Sequence, residues 1–251
     1  MQQLVAILVN SILPPRCVHC AASTDGLHQL CADCWKEASF ISPPFCNKCG
    51  KALMSADEVN LPCDCAAMSY DTLRAVFTFD EISRKLVHKF KYSDQTRLSK
   101  VLAAWMARIG GPLLGEADAL LPVPLHSRRL IERKYNQSSL LAHTLSDISQ
   151  VPVWPDQLIR TRYTTPQSKL PRKERQENLK GAFALRVPEM VEGKTVILVD
   201  DVVTTGSTVN ECAHVLKKAG AKKVAVLVVA RREDKAHENM AEDTIDEDAL
   251  W

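Results

Sequence analysis

Val196-Ile197-Leu198-Val199-Asp200-Asp201-Val202-Val203-Thr204-Thr205-Gly206-Ser207-Thr208 decides how this 251-residue chain folds. Thr195 to Val199 is a continuous apolar strand of the kind buried on both faces of a parallel sheet. It delivers two adjacent carboxylates, Asp200 and Asp201, to the strand's C-terminal end, the edge at which open α/β sheets bind ligands. Thr204, Thr205, Gly206, Ser207 and Thr208 then offer hydroxyls, a permissive glycine and a helix start, whose N–H groups and dipole favour an anion. A loop this small suits a terminal phosphate, and the acid pair suits vicinal hydroxyls or magnesium. Together they describe a phosphorylated sugar. A plainer role, in which Asp201 starts a turn and Thr204 or Thr205 caps the helix, is compatible with binding. It leaves the paired acids unexplained, because like charges side by side call for a cation or hydroxyls to compensate them.

Working outward, strands and helices alternate. Arg74 to Phe79 is β-branched and aromatic and reads as a strand. Ile82 to Tyr92 carries Ile82, Leu86, Val87 and Phe90 at helical spacing, punctuated by Lys85, Lys89 and Lys91. Leu98 to Ile109 is a second helical stretch, expected to end at Gly110-Gly111-Pro112. Ala119 to Val123 is a short strand ending in Pro122-Val123-Pro124, and Ser138 to Ile148 is helical. Thr208 to Lys218 is a helix closed by Gly220, and Lys223 to Ala230 a buried strand. This alternation argues for an α/β domain over residues 70–232, with a parallel sheet covered by helices on both faces. Cys212, on a helical pattern, is expected to be buried as a small hydrophobe.

Eight of the nine cysteines precede residue 70, as Cys17-x2-Cys20, Cys31-x2-Cys34, Cys46-x2-Cys49 and Cys63-x-Cys65. Pairs this close place both sulfurs on one tight turn, and two turns complete a tetrahedral four-cysteine zinc site. Four pairs give two structural zinc sites. Sequential ribbons would join Cys17/Cys20 to Cys31/Cys34 and Cys46/Cys49 to Cys63/Cys65; a cross-braced pairing is also allowed, and the last pair is the least regular. Gly50 suits the left-handed residue such a knuckle often requires. Residues 14–69 are poor in large apolar side chains, so metal rather than core burial is expected to fold them. A disulfide framework belongs to oxidising compartments, and no secretion signal is evident. No thioredoxin-like pattern surrounds the cysteines to suggest a redox pair.

The chain is 46% hydrophobic and 25% charged, as for a soluble globular protein. No apolar run reaches the roughly 18 to 20 residues of a membrane helix. Leu4 to Leu13 is interrupted by Asn10 and Ser11 and is expected to be a short packing helix, which places the protein in the cytoplasm without membrane insertion. The net charge of +2 divides unevenly: residues 1–69 carry 4 basic and 6 acidic groups, 70–232 carry 27 and 16, and 233–251 carry 1 and 8. The basic middle suits a phosphate-rich ligand or nucleic acid, and 233–251 reads as a disordered acidic tail. Gly193-Lys194-Thr195 is not a phosphate-binding P-loop, because Pro188 replaces its first glycine and it precedes the strand. No dinucleotide-binding Gly-x-Gly-x-x-Gly is present. With Gln2 after Met1, the N-terminal cysteine of a glutamine amidotransferase is missing.

The Asp200-to-Thr208 stretch resembles the signature of type I phosphoribosyltransferases, which bind 5-phosphoribosyl-1-diphosphate (PRPP). Together with the cysteine pairs, Leu121-Pro122-Val123-Pro124-Leu125-His126, Arg133-Lys134-Tyr135-Asn136-Gln137, and Gln167, Arg175, Asn178 and Phe183, the chain resembles the ComF family. That family joins a double zinc ribbon, here residues 1–69, to a phosphoribosyltransferase domain. The glycine common in that family's Arg-Gly-Phe-Asn-Gln is Lys134 here. The resemblance implies magnesium with PRPP: 5-phosphate on Thr204 to Thr208, ribose hydroxyls on Asp200 and Asp201, and diphosphate on the loop at Val123 and Pro124, with Arg128, Arg129 and Arg133 adding charge-assisted bonds. It implies a flexible lid between Arg160 and Asn178. It also implies a role in DNA uptake, natural transformation or DNA utilisation, with single-stranded DNA and a DNA-processing protein as partners. The chain would then act either on PRPP or as a non-catalytic phosphate-binding or docking module.

Overall fold

The computed structural model describes residues 14–60, 63–92, 96–125, 130, 135–162 and 178–232. Leu4 to Leu13, the acidic segment 233–251 and most of the basic span between Arg160 and Asn178 lie outside them. Four parallel strands form the main sheet in the order β1 (Thr72–Thr78), β6 (Lys223–Arg231), β5 (Thr195–Val203) and β2 (Ala119–Pro122). Side chains alternate between its faces. Ile197, Val199 and Leu227 join Leu86 and Phe90 of α2 (Glu81–Tyr92), Leu102 and Met106 of α3 (Thr96–Leu114), and Leu141 and Leu145 of α4 (Gln137–Ser149). Val196, Leu198 and Val226 join Val209, Ala213 and Leu216 of α5 (Ser207–Lys218) on the opposite face, where Cys212 is fully buried. Among the described residues no helix is long and apolar enough to cross a membrane.

Three elements differ from the expectation. Strand β5 does not stop at Val199: its register with β6 continues through Asp200↔Val228, Val202↔Ala230 and Val203↔Arg231, so both acids lie on the strand. Helix α3 runs through Gly110, Gly111 and Pro112 to Leu114. At Gly110 a Cβ would lie 2.8 Å from Leu227 of β6, so the glycine permits close packing on the sheet instead of ending the helix. A two-stranded antiparallel piece, β3 (Leu158–Arg160) with β4 (Phe183–Leu185), was not legible because each strand has three residues.

The cysteine-rich segment is docked on the sheet. Phe40 bridges Phe77 of β1, with Ile41 N donating to Val76 O at 2.9 Å and Thr78 N to Ser39 O at 2.9 Å. The segment thereby covers an otherwise open sheet edge. Phe40 packs against Trp35 of the short helix α1 (Ala32–Glu37), Phe77 and Trp105. Gly50, at φ +68°, follows the Cys46–Cys49 knuckle. A Cβ there would meet the Leu73 carbonyl oxygen at 2.7 Å, so glycine is required both by conformation and by the close approach to β1.

Candidate functional site

The sulfurs assemble as sequential ribbons. Cys17, Cys20, Cys31 and Cys34 form one cluster and Cys46, Cys49, Cys63 and Cys65 the other, with ligand atoms within 4.8 Å of one another. Sulfur separations are 3.6 Å for Cys20–Cys31, 3.8 Å for Cys46–Cys65 and 3.7 Å for Cys49–Cys63. A tetrahedron with zinc–sulfur bonds of about 2.3 Å has edges of about 3.8 Å, so both sets fit zinc. The pair with one intervening residue closes as regularly as the others. His19 Nδ1 lies 3.2 Å from Cys34 Sγ, where its N–H would orient and stabilise a thiolate. Both sites are closed four-cysteine sets and read as structural.

At the C-terminal end of the sheet, the acid pair is compensated in the two ways its charge demands. Lys91, from the last turn of α2, places Nζ 3.1 Å from Asp201 Oδ2, the two side chains being 17% and 12% exposed. Ser138, in the first turn of α4, donates from Oγ to Asp200 Oδ1 at 2.8 Å, and Asp201 N donates to the same oxygen at 2.9 Å. Burial, and then the neighbouring Asp201 charge, push Asp200 up to about 7, against the pull of Ser138, the Asp201 N–H and Lys91. Burial beside a like charge thus favours the protonated form of Asp200.

Tyr135-Asn136-Gln137 ties this corner together. Tyr135 Oη donates to Phe90 O at 2.7 Å, Gln137 Nε2 to Lys91 O at 3.3 Å and Asn136 Nδ2 to Val123 O at 3.0 Å. Asn136 also caps α4 by accepting from Ser138 N at 3.0 Å. One tripeptide thus locks the end of α2, the Val123–Pro124 loop and the start of α4. Lys91 and Ser138 were not singled out as site residues from sequence. The need for a compensating cation or hydroxyl was the signal, and Lys91 was one of three lysines on its helix.

The Thr204–Thr208 bend follows directly. Gly206, at φ +76°, is the N-cap of α5, which begins at Ser207 instead of Thr208; the Thr205 hydroxyl, one residue earlier, accepts from Ser207 N at 3.4 Å. An α-helix leaves its first N–H groups without partners inside the helix, so this end suits an anion. Thr205 Oγ1 and Ser207 Oγ are 2.8 Å apart, two hydroxyls on one side of the bend. The structure brings together Asp200, Asp201, the bend and, through Asn136, Val123. Arg128, Arg129, Arg133, Gln167 and Arg175 lie outside the described residues. Asn178 is held at its carbonyl by Arg162 Nη2 at 3.0 Å, and Phe183 is buried on β4.

A cysteine-ribbon head on a parallel sheet that ends in paired acids and a hydroxyl bend defines a zinc-ribbon phosphoribosyltransferase-type protein. Residues 8–66 match the Double zinc ribbon domain and residues 112–249 the Phosphoribosyl transferase domain. Competence protein F of Haemophilus influenzae is 32% identical over 223 residues, covering 86% of this chain and 96% of the relative. DNA utilization protein YhgH of Salmonella typhi is 34% identical over 224 residues, covering 86% and 89%. Competence protein ComFC of Streptococcus pneumoniae is 25% identical over 203 residues, covering 80% and 87%. The chain belongs to the ComF family.

Proposed function

We propose that the chain binds PRPP with magnesium and uses that binding in DNA uptake or DNA utilisation. The observation that carries this reading is the continuity of β5 into Asp200, Asp201 and the Thr204–Thr208 bend at one sheet end. The 5-phosphate lies on Thr204, Thr205, Gly206, Ser207 and Thr208, the ribose hydroxyls on Asp200 and Asp201, and the diphosphate points to Val123, Pro124 and the arginines Arg128, Arg129 and Arg133. The oxygen donors of Asp200 and Asp201 suit magnesium. Since Lys91 already neutralises Asp201, the metal arrives with the diphosphate. Where phosphoribosyl transfer occurs, positioning and electrostatic stabilisation at the anomeric carbon supply most of the catalysis.

The printed names of the relatives support a DNA-linked role. The excess of 27 basic over 16 acidic residues in 70–232 supports contact with single-stranded DNA through phosphates. The docked ribbon offers a surface to a DNA-processing protein. Reduced thiols that hold zinc fit a cytoplasmic location. Calorimetry with magnesium and PRPP tests the site: binding is expected in the wild type and lost in D200N/D201N. Equal binding by the variant would overturn the assignment.

A further inference from the structure

The residues that leave the zinc ribbon lie against the bend that the proposed function reads as the phosphate site. After Cys65 the chain runs through Met68, Ser69 and Tyr70 into β1. Ser69 N donates to Asn210 Oδ1 at 2.6 Å, tying this segment to the first turn of α5. A Cβ placed on Gly206 would lie 3.8 Å from Met68 Cε and 3.9 Å from Tyr70 Oη, so the phenol tip rests on the N-cap itself.

Tyr70 is 3% exposed, and its hydroxyl makes no hydrogen bond to a described residue. The ring is packed inside the protein while its hydroxyl is left without a partner among the described residues, and Tyr hydroxyls inside proteins ordinarily find one. Here that donor lies beside a helix N-terminus, an end that favours an anion and where Ser207 N has only the long 3.4 Å contact to Thr205 Oγ1. Burial holds the phenol protonated, so it remains a donor. Arg231, the last residue of β6, stands opposite Val203 in the register, one residue before the bend. Its Nη1 is buried without a partner, and its charge acts on Tyr70 and on Cys49 of the second cysteine site.

We propose that Tyr70 is a phosphate-binding residue supplied by the segment that joins the ribbon to β1: its hydroxyl donates to a phosphate seated at the N-terminus of α5, with Arg231 adding positive charge behind it. The inference rests on reading Thr204 to Thr208 as the phosphate bend. It places the junction between the ribbon and the sheet at the ligand site, so that the ribbon fixes one end of a binding segment. The segment that carries Tyr70 is anchored by Cys65 at one end and by β1 at the other.

The test is calorimetry on the zinc-loaded full chain with two probes, ribose 5-phosphate and magnesium-PRPP, in the wild type, Y70F and D200N/D201N. Loss of one hydrogen bond to a charged group corresponds to at least about a tenfold weakening. Y70F should show that loss for both probes, with zinc content and melting temperature unchanged. Wild-type affinity in Y70F would overturn the proposal. If the wild type binds ribose 5-phosphate but gains nothing from PRPP, the PRPP reading fails while the Tyr70 comparison stands. If it binds neither, both fail. Should Y70F not fold, the wild type labelled at tyrosine Cζ reads the hydroxyl directly, since the chain has four tyrosines. The Tyr70 resonance should shift saturably with ribose 5-phosphate, and a stationary resonance would overturn the proposal.

Discussion

Replacing Lys91 with methionine keeps the aliphatic stem in α2 and removes the charge that faces Asp201. At an effective dielectric of about 20, opposite unit charges 3.1 Å apart attract by ~5 kcal/mol. Breaking one side of a buried pair costs about 3–5 kcal/mol, because the remaining charge is left uncompensated. Both side chains keep some exposure, so the lower end, ~3 kcal/mol, is expected for K91M at pH 8. The loss should also depend on pH. Lys91 pulls the Asp200 proton affinity down, so its removal lifts Asp200 further above about 7. A group whose folded pKa is raised stabilises the fold below its unfolded pKa and loses that contribution as pH rises through the folded value. K91M should therefore lose more stability than the wild type between pH 6 and pH 8, by about 1 kcal/mol. Urea unfolding followed by tryptophan fluorescence at the two pH values measures this. K91R should recover most of the loss, and D201N should be less harmful in the K91M background than alone. A K91M penalty below about 1 kcal/mol, the size of an exposed ion pair, would refute the account of the acid corner, as would a penalty identical at pH 6 and pH 8.

Further outcomes follow from the same geometry. D200N removes the group whose pKa is raised to about 7, so its stability should be flatter than that of the wild type from pH 4 to pH 7, by as much as ~3 kcal/mol over the window; parallel stability profiles would contradict the raised Asp200. G206A forces a side chain into a φ of +76° with no steric obstruction closer than 3.8 Å, so its cost is conformational, about 1–2 kcal/mol in the thermal melt. G50A adds a 2.7 Å clash with the Leu73 carbonyl to a similar strain, and should cost more than G206A while reducing zinc retained at the second site; a milder effect than G206A would refute the close approach. Mass spectrometry under native conditions should find two zinc ions in the wild type and one in C65S, and a single ion in the wild type would contradict the paired ribbons.

The parts legible in the sequence were those whose signal is local. The apolar run into Asp200 and Asp201 announces a buried strand, and cysteines two apart announce zinc knuckles; both readings needed only neighbouring residues. The demand for a counter-charge was legible in kind, yet its suppliers were not. Lys91 and Ser138 lie 110 and 62 residues from their acids and meet them only because α2 and α4 end and begin at the same sheet edge. Tyr70 was hidden for the same reason: nothing in its own neighbourhood shows that it abuts Gly206. Helix α3 was shortened in the reading because Gly110-Gly111-Pro112 is a local stop signal, which packing on Leu227 overrides. The choice between sequential and cross-braced ribbons depends on how turns face one another in space, and spacing alone leaves it open.

The central claim is that neighbouring acids and the hydroxyl bend after them hold an activated, phosphorylated pentose. Crystals of the zinc-loaded protein soaked with magnesium and PRPP address it most directly. The account predicts a pentose whose 5-phosphate rests on Thr204 to Thr208 and whose ring hydroxyls meet Asp200 and Asp201. A saturating soak that leaves Lys91 on Asp201 with no density above the bend, or that lodges the ligand elsewhere, would contradict it.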